Sequence, residues 1–224
     1  MSETYSLVEA TMKVIQDRRS IREWTDEPVS EEDLAMILEA GRQAPSGENA
    51  QPWRFIVVKD PATRKKLAAL AGGGSGRRFT AEFVTKQMHE RFVGLKDEAK
   101  KKAAFEKLTS GQVSQFSENA PVTIIVCGKK DVWDTPYDTS AAIENMLLMI
   151  TALGLGACWV IAVCFDVREE ERTKELLGIP EGFKTISLIS VGHPTRPHRQ
   201  RPRLPIHQLV FKESWGEPYY KEKV

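Results

Sequence analysis

The sequence predicts a single domain in which α-helices and β-strands alternate. Three apolar runs are typical of buried strands, at residues 55–58, 122–127 and 184–191. Segments with helical periodicity separate these runs. A chain of 224 residues suits one sizeable domain or two small ones, and no linker demands a boundary. We therefore expect a mixed α and β domain that spans residues 1–224.

The N-terminal helices are expected to have recognisable ends. Residues 6–17 favour an amphipathic helix. Ser30 is a suitable N-cap for a second helix, which Gly41 ends. After the first strand, Asp60 and Pro61 start a third helix, because proline is well tolerated at the first helical position.

A glycine run at residues 72–76, Gly-Gly-Gly-Ser-Gly, predicts a break in the chain. The run resembles a phosphate-binding loop, but it lacks the Gly-Lys-Ser/Thr ending and does not directly follow a strand. We interpret it as a flexible hinge that leads to a lid. A charged, helix-prone stretch follows, from Ala81 to about Leu108.

The second half predicts a long apolar helix, capped by Asp138 and running through Ala152. Residues 157–163 are apolar and are expected to be extended in part, and residues 167–177 favour a polar helix. The tail from about Pro197 is rich in Pro and Arg but holds enough apolar residues to pack on something. It packs either on its own domain or on a partner subunit.

Composition excludes several classes of function. The net charge is +1, which argues against a nucleic-acid or membrane partner. No apolar run is long enough to span a bilayer, and the first residues lack the features of a signal peptide. The four histidines show no metal-ligand spacing, so no metal site is expected. Cys127, Cys158 and Cys164 are interpreted as reduced core thiols of a cytoplasmic protein.

Three separated motifs carry the functional prediction. The first is the basic turn Arg-Arg-Ser-Ile-Arg at residues 18–22, and the last is Arg-Pro-Arg-Leu-Pro at residues 201–205. Between them, residues 44–53 read Ala-Pro-Ser-Gly-Glu-Asn-Ala-Gln-Pro-Trp, which is longer than an ordinary helix-to-strand connection. Guanidinium groups bind phosphate, and short amide and hydroxyl side chains bind polyols.

This order of motifs resembles the nitroreductase family of FMN-dependent oxidoreductases, from about Val14 to Trp215. The resemblance implies an α+β fold with a central, mostly antiparallel sheet flanked by helices. It also implies an intertwined homodimer with two FMN sites at the subunit interface. Residues 72–115 would form a variable, lid-like helical segment, and residues 197–224 a C-terminal arm that crosses the partner.

The resemblance also assigns roles to the residues of the three motifs. Arg18, Ser20 and Arg203 would hold the FMN phosphate, and Arg22 would reach the pyrimidine edge of the flavin. The loop at residues 45–49 would reach the flavin from the second subunit. The complete set of expected FMN contacts is Arg18, Arg19, Ser20, Arg22, Pro45, Ser46, Gly47, Asn49, Val160, Ile161, Ala162, Arg201 and Arg203.

One segment departs from the pattern of the family. Many relatives carry Glu-Gly where this chain has the apolar run at residues 158–162. Because main-chain N–H groups, here those of Ile161 and Ala162, would contact the ring, the change is compatible with binding. A buried strand without a role in binding is the other interpretation of this segment.

The implied activity is a ping-pong oxidoreduction. NADH or NADPH would bind transiently and deliver hydride to N5 of tightly bound FMN. A nitroaromatic, a quinone or a similar acceptor would then take it. No catalytic side chain is expected, because flavin N5 carries the chemistry and no Ser-His-Asp or Cys-His pattern occurs.

Other functions stay open at this point. The same fold could serve a reductive dehalogenase or a flavin-fragmenting enzyme. A non-enzymatic flavin-binding protein is a third possibility. Residues 198–203 could instead belong to a nucleic-acid patch, but the near-zero net charge and the lack of a stacking platform argue against it.

Overall fold

A computed structural model describes residues 6–220 and shows an α+β arrangement around one sheet. The α-helices, numbered in chain order, are α1 (Leu7–Asp17), α2 (Glu31–Arg42), α3 (Pro61–Val84), α4 (Gln87–Arg91), α5 (Glu98–Thr109), α6 (Gln112–Gln115), α7 (Thr135–Ala152) and α8 (Val167–Leu177). The strands are β1 (Trp53–Val58), β2 (Val122–Lys129), β3 (Gly156–Val160) and β4 (Phe183–Gly192). The predicted mixed fold is confirmed.

The four strands form one antiparallel sheet in the order β1-β2-β4-β3. The central strands β2 and β4 are almost entirely buried, which explains why both are continuous apolar runs in the sequence. Ile125 lies opposite Leu188 on β4 and Ile56 on β1. A shift of register between Val126 and Cys127 marks an irregularity in β2.

Helices cover both faces of the sheet. Ile124 and Val126 of β2 belong to a buried cluster with Ile37 of α2 and Met146 of α7. The alternate residue Ile125 faces a second cluster. That cluster also contains residues of α3 and of the segment after β3, namely Leu67, Ala71, Ala162 and Val163. The alternation of strand side chains therefore produces a helix–sheet–helix sandwich.

The predicted helix ends are confirmed where capping chemistry is local. Ser6 and Glu9 form a capping box at the start of α1. The Ser30 hydroxyl accepts a hydrogen bond from the Asp33 N–H at 3.0 Å. The Asp60 carboxylate accepts one from the Thr63 N–H at 2.7 Å, with Pro61 in the first turn.

The predicted break at residues 72–76 is wrong, because these residues lie within the uninterrupted helix α3. The glycines allow close packing rather than bending. A Cβ at Gly74 would lie 2.1 Å from the Ala162 carbonyl oxygen, and one at Gly76 would lie 3.0 Å from the Thr109 carbonyl oxygen. The close approach of neighbouring backbone therefore explains why glycine occupies these positions despite its low helix propensity. A hinge at this run is excluded by the helix.

Two further helical predictions are corrected. The stretch from Ala81 to Leu108 is interrupted by Lys86, whose φ of 63° is left-handed, so it contains the end of α3 followed by α4 and most of α5. The long apolar helix that Asp138 was expected to cap begins three residues earlier, at Thr135, and Asp134 is its N-cap residue. Asp138 is buried in its first turn instead and accepts a hydrogen bond from the Gly47 N–H at 3.2 Å.

Two segments present apolar side chains to the outside of the chain. No residue of α1 is buried, and Leu7 and Val8 are 84% and 72% exposed. In the tail, Leu204 and Leu209 are exposed, as is Trp215. Trp133, just before α7, is likewise exposed. Among the helices at residues 6–220, none has both the length and the apolar character needed to cross a membrane.

Candidate functional site

The basic turn after α1 and the late arginine segment line one cavity of about 810 Å³. We call this cavity the arginine groove. Its lining contains one carboxylate, from Glu23, against six arginines, so its potential is positive. The lining residues are Arg18, Arg19, Ser20, Arg22, Glu23, His198, Arg199, Gln200, Arg201, Pro202 and Arg203.

Backbone pairing with β3 positions the basic turn. Ser20 and Ala157 form an isolated parallel bridge, and the Ile21 N–H donates to the Ala157 carbonyl at 2.8 Å. The buried side chain of Ile21 then packs over Gly156, where an added Cβ would lie 2.6 Å from Ile21 Cγ1. The turn is therefore anchored to the sheet while its arginines point to the groove.

The tail is held across the groove by polar contacts with the N-terminal region. Arg196 and Glu23 form an ion pair at 3.1 Å. The Gln200 side-chain amide donates to the Gln16 carbonyl at 3.2 Å. These contacts bring the late arginines Arg201 and Arg203 beside the first motif, although about 180 residues separate them.

Arg19 shows that the groove suits an anion. Its Nε is buried and has no hydrogen-bond partner in the described chain. Its Nη1 donates to the Arg18 carbonyl at 2.6 Å, and Arg18 Nε lies 3.5 Å from Glu144 Oε1. A buried, unpaired guanidinium nitrogen is costly unless a ligand satisfies it, so the donor set fits a phosphate.

A second, smaller cavity of about 190 Å³ lies at the end of β3, and we call it the β3-end cavity. Val160, Ile161 and Ala162 line it, so the structure places this predicted segment at a cavity wall. Arg22 lines both cavities and therefore connects them. Its guanidinium carbon also lies 5.6 Å from the centre of the Phe116 ring.

The loop at residues 44–52 lies elsewhere and lines neither of these cavities. It packs against the start of α7, where a Cβ at Gly47 would lie 2.8 Å from Asp134 Oδ2. Gln51 braces it, since its N–H donates to Ser46 Oγ at 3.0 Å. Pro45, Gly47 and Asn49 are exposed.

Three non-glycine residues of this loop have left-handed backbones. The φ angles are 52° for Glu48, 56° for Asn49 and 44° for Gln51. Such conformations cost free energy and are concentrated at functional sites. The loop therefore holds a shape that these three residues do not favour by themselves.

Sequence reasoning did not identify several residues of the β3-end cavity. Arg78 and Phe79 of α3, Phe116, and Phe165 line it from elements distant in sequence. In the sequence, Arg78 is marked only by its position in the Arg77–Arg78 pair. The two residues differ in the structure, because Arg77 forms ion pairs with Asp166 and Glu169 whereas Arg78 lines the cavity.

The cysteines behave as interior thiols rather than as nucleophiles. All three are free. Burial raises the pKa of Cys127 to about 11 and raises that of Cys158, although the Arg22 charge opposes the shift at Cys158. A raised pKa keeps the thiol protonated and unreactive near neutral pH. In the described residues 6–220, no group of His, Cys, Asp and Glu is arranged to hold a metal ion.

Comparison with known proteins adds independent evidence. The model of the Nitroreductase family matches residues 15–193. An Archaeoglobus fulgidus protein with the provisional name NADH dehydrogenase/NAD(P)H nitroreductase is 34% identical over 195 residues, covering 84% of this chain and 87% of that protein. A Bacillus subtilis protein named FMN reductase (NAD(P)H) is 30% identical, covering 91% of this chain and 74% of that protein.

Two further similarities bear on fold and on substrate. The crystal structure of a nitroreductase with bound FMN from Bacteroides fragilis aligns with a TM-score of 0.64 at 23% identity, over 91% of this chain and 98% of that one. This likeness concerns the fold alone. Iodotyrosine deiodinase 1 of Rattus norvegicus is 28% identical over 82% of this chain and 62% of that protein.

Proposed function

This chain belongs to the nitroreductase family, and we propose that it is an FMN-dependent NAD(P)H oxidoreductase that works as a homodimer. One observation carries the proposal: Arg22 joins an arginine-rich groove to a cavity formed by the backbone after β3. The groove suits a phosphate and the cavity suits a planar ring. FMN carries both groups at the two ends of a short polyol chain.

The proposed FMN contacts follow from this arrangement. Arg18, Ser20 and Arg203 would hold the phosphate, and Arg19 would satisfy its buried Nε there. Arg201 lines the same groove and would add to its positive potential. Charge-assisted hydrogen bonds of this kind are about twice as strong as neutral ones.

The protein groups at the ring would act by position and charge. When bound, FMN would supply two-electron hydride chemistry, which would link NADH or NADPH to an acceptor in a ping-pong sequence. Arg22 would stabilise negative charge at the pyrimidine edge of the ring. Main-chain groups of Val160, Ile161 and Ala162 would fix the ring edge, and no side-chain acid or base is required.

The homodimer is proposed because parts of the site and surface are unfinished in one chain. The strained loop at residues 45–49 is exposed and lies outside both cavities, so Pro45, Ser46, Gly47 and Asn49 would complete the site of a second copy. The exposed apolar residues of α1 and of the tail would form the interface, since such patches usually mark contact surfaces.

Two segments have proposed roles in the assembly. Residues 197–224 would form an arm across the partner, of which the structure describes the part up to residue 220. Residues 72–115 would form the lid-like segment. Because residues 72–84 belong to continuous α3, the mobile part would begin after that helix, with α4, α5 and α6. The free thiols favour a cytoplasmic location.

The deciding experiment identifies the cofactor and its reductant. Mass spectrometry of the ligand released from purified protein should give FMN. Anaerobic addition of NADH or NADPH should then bleach the oxidised flavin spectrum, and a nitroaromatic or a quinone should restore it. A protein that retains FMN but accepts electrons from neither nucleotide would be a flavin-binding protein. One that binds no FMN would overturn the proposal.

A second candidate activity is reductive dehalogenation, favoured by the similarity to iodotyrosine deiodinase 1. It would use the same groove and cavity with a halogenated phenol as the acceptor. Steady-state comparison of nitroaromatic, quinone and iodotyrosine acceptors separates the two activities. Iodide release faster than nitroaromatic reduction would favour the dehalogenase. Oxygen-dependent loss of the flavin itself would indicate a flavin-fragmenting enzyme.

A further inference from the structure

The β3-end cavity contains a cation that the proposed FMN site does not use. Arg22 and Arg78 are its charged lining residues, and in the described chain no carboxylate lines it. Arg22 is assigned to the flavin. Building on the proposed function, we propose that the acceptor binds at the side of this cavity lined by Arg78, Phe79 and Phe165, and that the preferred acceptor is an aromatic acid whose carboxylate pairs with Arg78.

The orientation of Arg78 is set by its neighbours. Its guanidinium carbon lies 5.6 Å from the centre of the Phe79 ring and 5.3 Å from that of Phe165. Its Nε donates to Glu82 Oε1 at 3.0 Å. Its two terminal nitrogens have no hydrogen-bond partner among residues 6–220. An oriented guanidinium with a free pair of donors suits the two oxygens of a carboxylate.

The charge of Arg78 is not neutralised by Glu82. Glu82 also pairs with Arg91, so one carboxylate serves two guanidinium groups. The three side chains together keep a net charge of +1. Since Arg78 is only partly exposed, with 39% of its side chain accessible, solvent screens that charge incompletely. The cavity therefore attracts anions.

The remaining lining favours an aromatic ring. Most other side chains of the wall are apolar, and the aromatic ones are Phe79, Phe116, Trp159 and Phe165. An aromatic acid would combine contact with these rings and the ion pair with Arg78.

The inference is tested with two nitroaromatic acceptors that differ in charge. We expect the FMN-loaded protein to have a higher kcat/KM for 4-nitrobenzoate than for 4-nitrobenzyl alcohol. In Arg78→Gln, the ratio of the two values should fall about tenfold or more, the effect of losing a hydrogen-bonded charge pair. The ratio for Arg78→Lys should lie between those of the unchanged protein and Arg78→Gln, because lysine keeps the charge without the planar fork of donors.

Arg172→Gln is the matched control. Arg172 lies in α8, pairs with Glu169 at 3.6 Å rather than with Glu82, and lines neither cavity. The same loss of charge should therefore leave the acceptor ratio near that of the unchanged protein. An equal fall in Arg172→Gln and Arg78→Gln would overturn the inference, since it would show a general charge effect.

Binding provides a readout that does not depend on turnover. Isothermal titration of the FMN-loaded protein with benzoate should give an affinity about tenfold or more weaker in Arg78→Gln. Unchanged benzoate affinity, or an unchanged acceptor ratio in an active enzyme, would refute the aromatic-acid inference and leave the proposed function intact. Absence of any NAD(P)H-dependent reduction would instead remove the proposed function.

Discussion

At the scale of single residues, the arginines of this chain differ in how far acceptors of the described chain satisfy them. Arg77 is paired with Asp166 and Glu169, and Arg64 donates to the carbonyls of Glu118 and Ala120. Arg19 instead has a buried Nε without a partner. The sequence shows Arg77 and Arg19 alike, each in an Arg-Arg pair, and only the fold separates them.

Arg19→Gln should weaken the binding of FMN. The change removes a charged donor from the arginine groove, and such hydrogen bonds contribute about 1.5–3 kcal/mol. The dissociation constant, measured by equilibrium dialysis against FMN, should rise about 10- to 150-fold. Arg168→Gln removes the same charge from an exposed residue of α8 that does not line the groove, and should change the dissociation constant far less. Equal effects would contradict a specific role for Arg19.

The buried thiol of Cys127 should make stability fall in alkali. Its pKa is raised to about 11 by burial, whereas an unfolded thiol titrates near pH 8.5. Between these values the unfolded state loses a proton that the folded state keeps, so the free energy of unfolding falls as pH rises from about 8.5 to about 11. Urea titrations at several pH values measure the free energy of unfolding of the wild type and of Cys127→Val. The variant should lose less stability over this pH range.

At the scale of elements, prediction succeeded where the cause is local. Caps at Ser30 and Asp60 and the apolar runs of the strands are encoded within a few residues, and the structure confirms them. The glycine run was misjudged because its cause lies about 90 residues away, in the Ala162 backbone. The arginine groove was anticipated from motifs, whereas Arg78 depends on packing between α3 and the segment after β3.

Gly74→Ala should destabilise the chain and disturb the backbone that we propose faces the flavin. The new methyl group would lie 2.1 Å from the Ala162 carbonyl oxygen, so α3 and the turn after β3 must separate. We expect a loss of about 1–3 kcal/mol, as for overpacking, despite the better helix propensity of alanine. Thermal unfolding measures the loss, and FMN affinity should fall with it.

Gly73→Ala provides the comparison within the same helix. Its methyl group would first meet the end of the Glu169 side chain at 3.2 Å, not backbone. Stability should stay within about 1 kcal/mol of the wild type, because the gain in propensity offsets a small adjustment. Similar losses in both variants would show that helix geometry alone, rather than contact with Ala162, requires the glycines.

At the scale of the whole molecule, the chain is well packed around its sheet but leaves its N-terminal helix and its tail unburied. Helices usually gain their stability by packing an apolar face against another element. An exposed apolar helix therefore fits the proposed second subunit. A second subunit was expected only from the family resemblance. The periodicity of apolar residues in the sequence does not distinguish a helix face that packs on a partner from one that packs on the core.

The double substitution Leu7→Glu and Val8→Glu should disrupt the proposed dimer without unfolding the chain. Both side chains are exposed, and acidic residues in the first turn of a helix are favourable. Light scattering coupled to size exclusion should show a monomer, and FMN should be lost because the loop at residues 45–49 no longer reaches it. Val93→Glu, at a residue that is 80% exposed, should remain dimeric.

The two most exposed indoles would give the proposed dimer an optical signal of its own. Trp133 and Trp215 are 91% and 90% exposed, whereas Trp24 and Trp53 are 8% and 5% exposed. Fluorescence of a water-exposed indole is red-shifted, so isolated chains should emit at longer wavelength than chains that cover these rings. Emission followed during dilution would then report the association constant without a label.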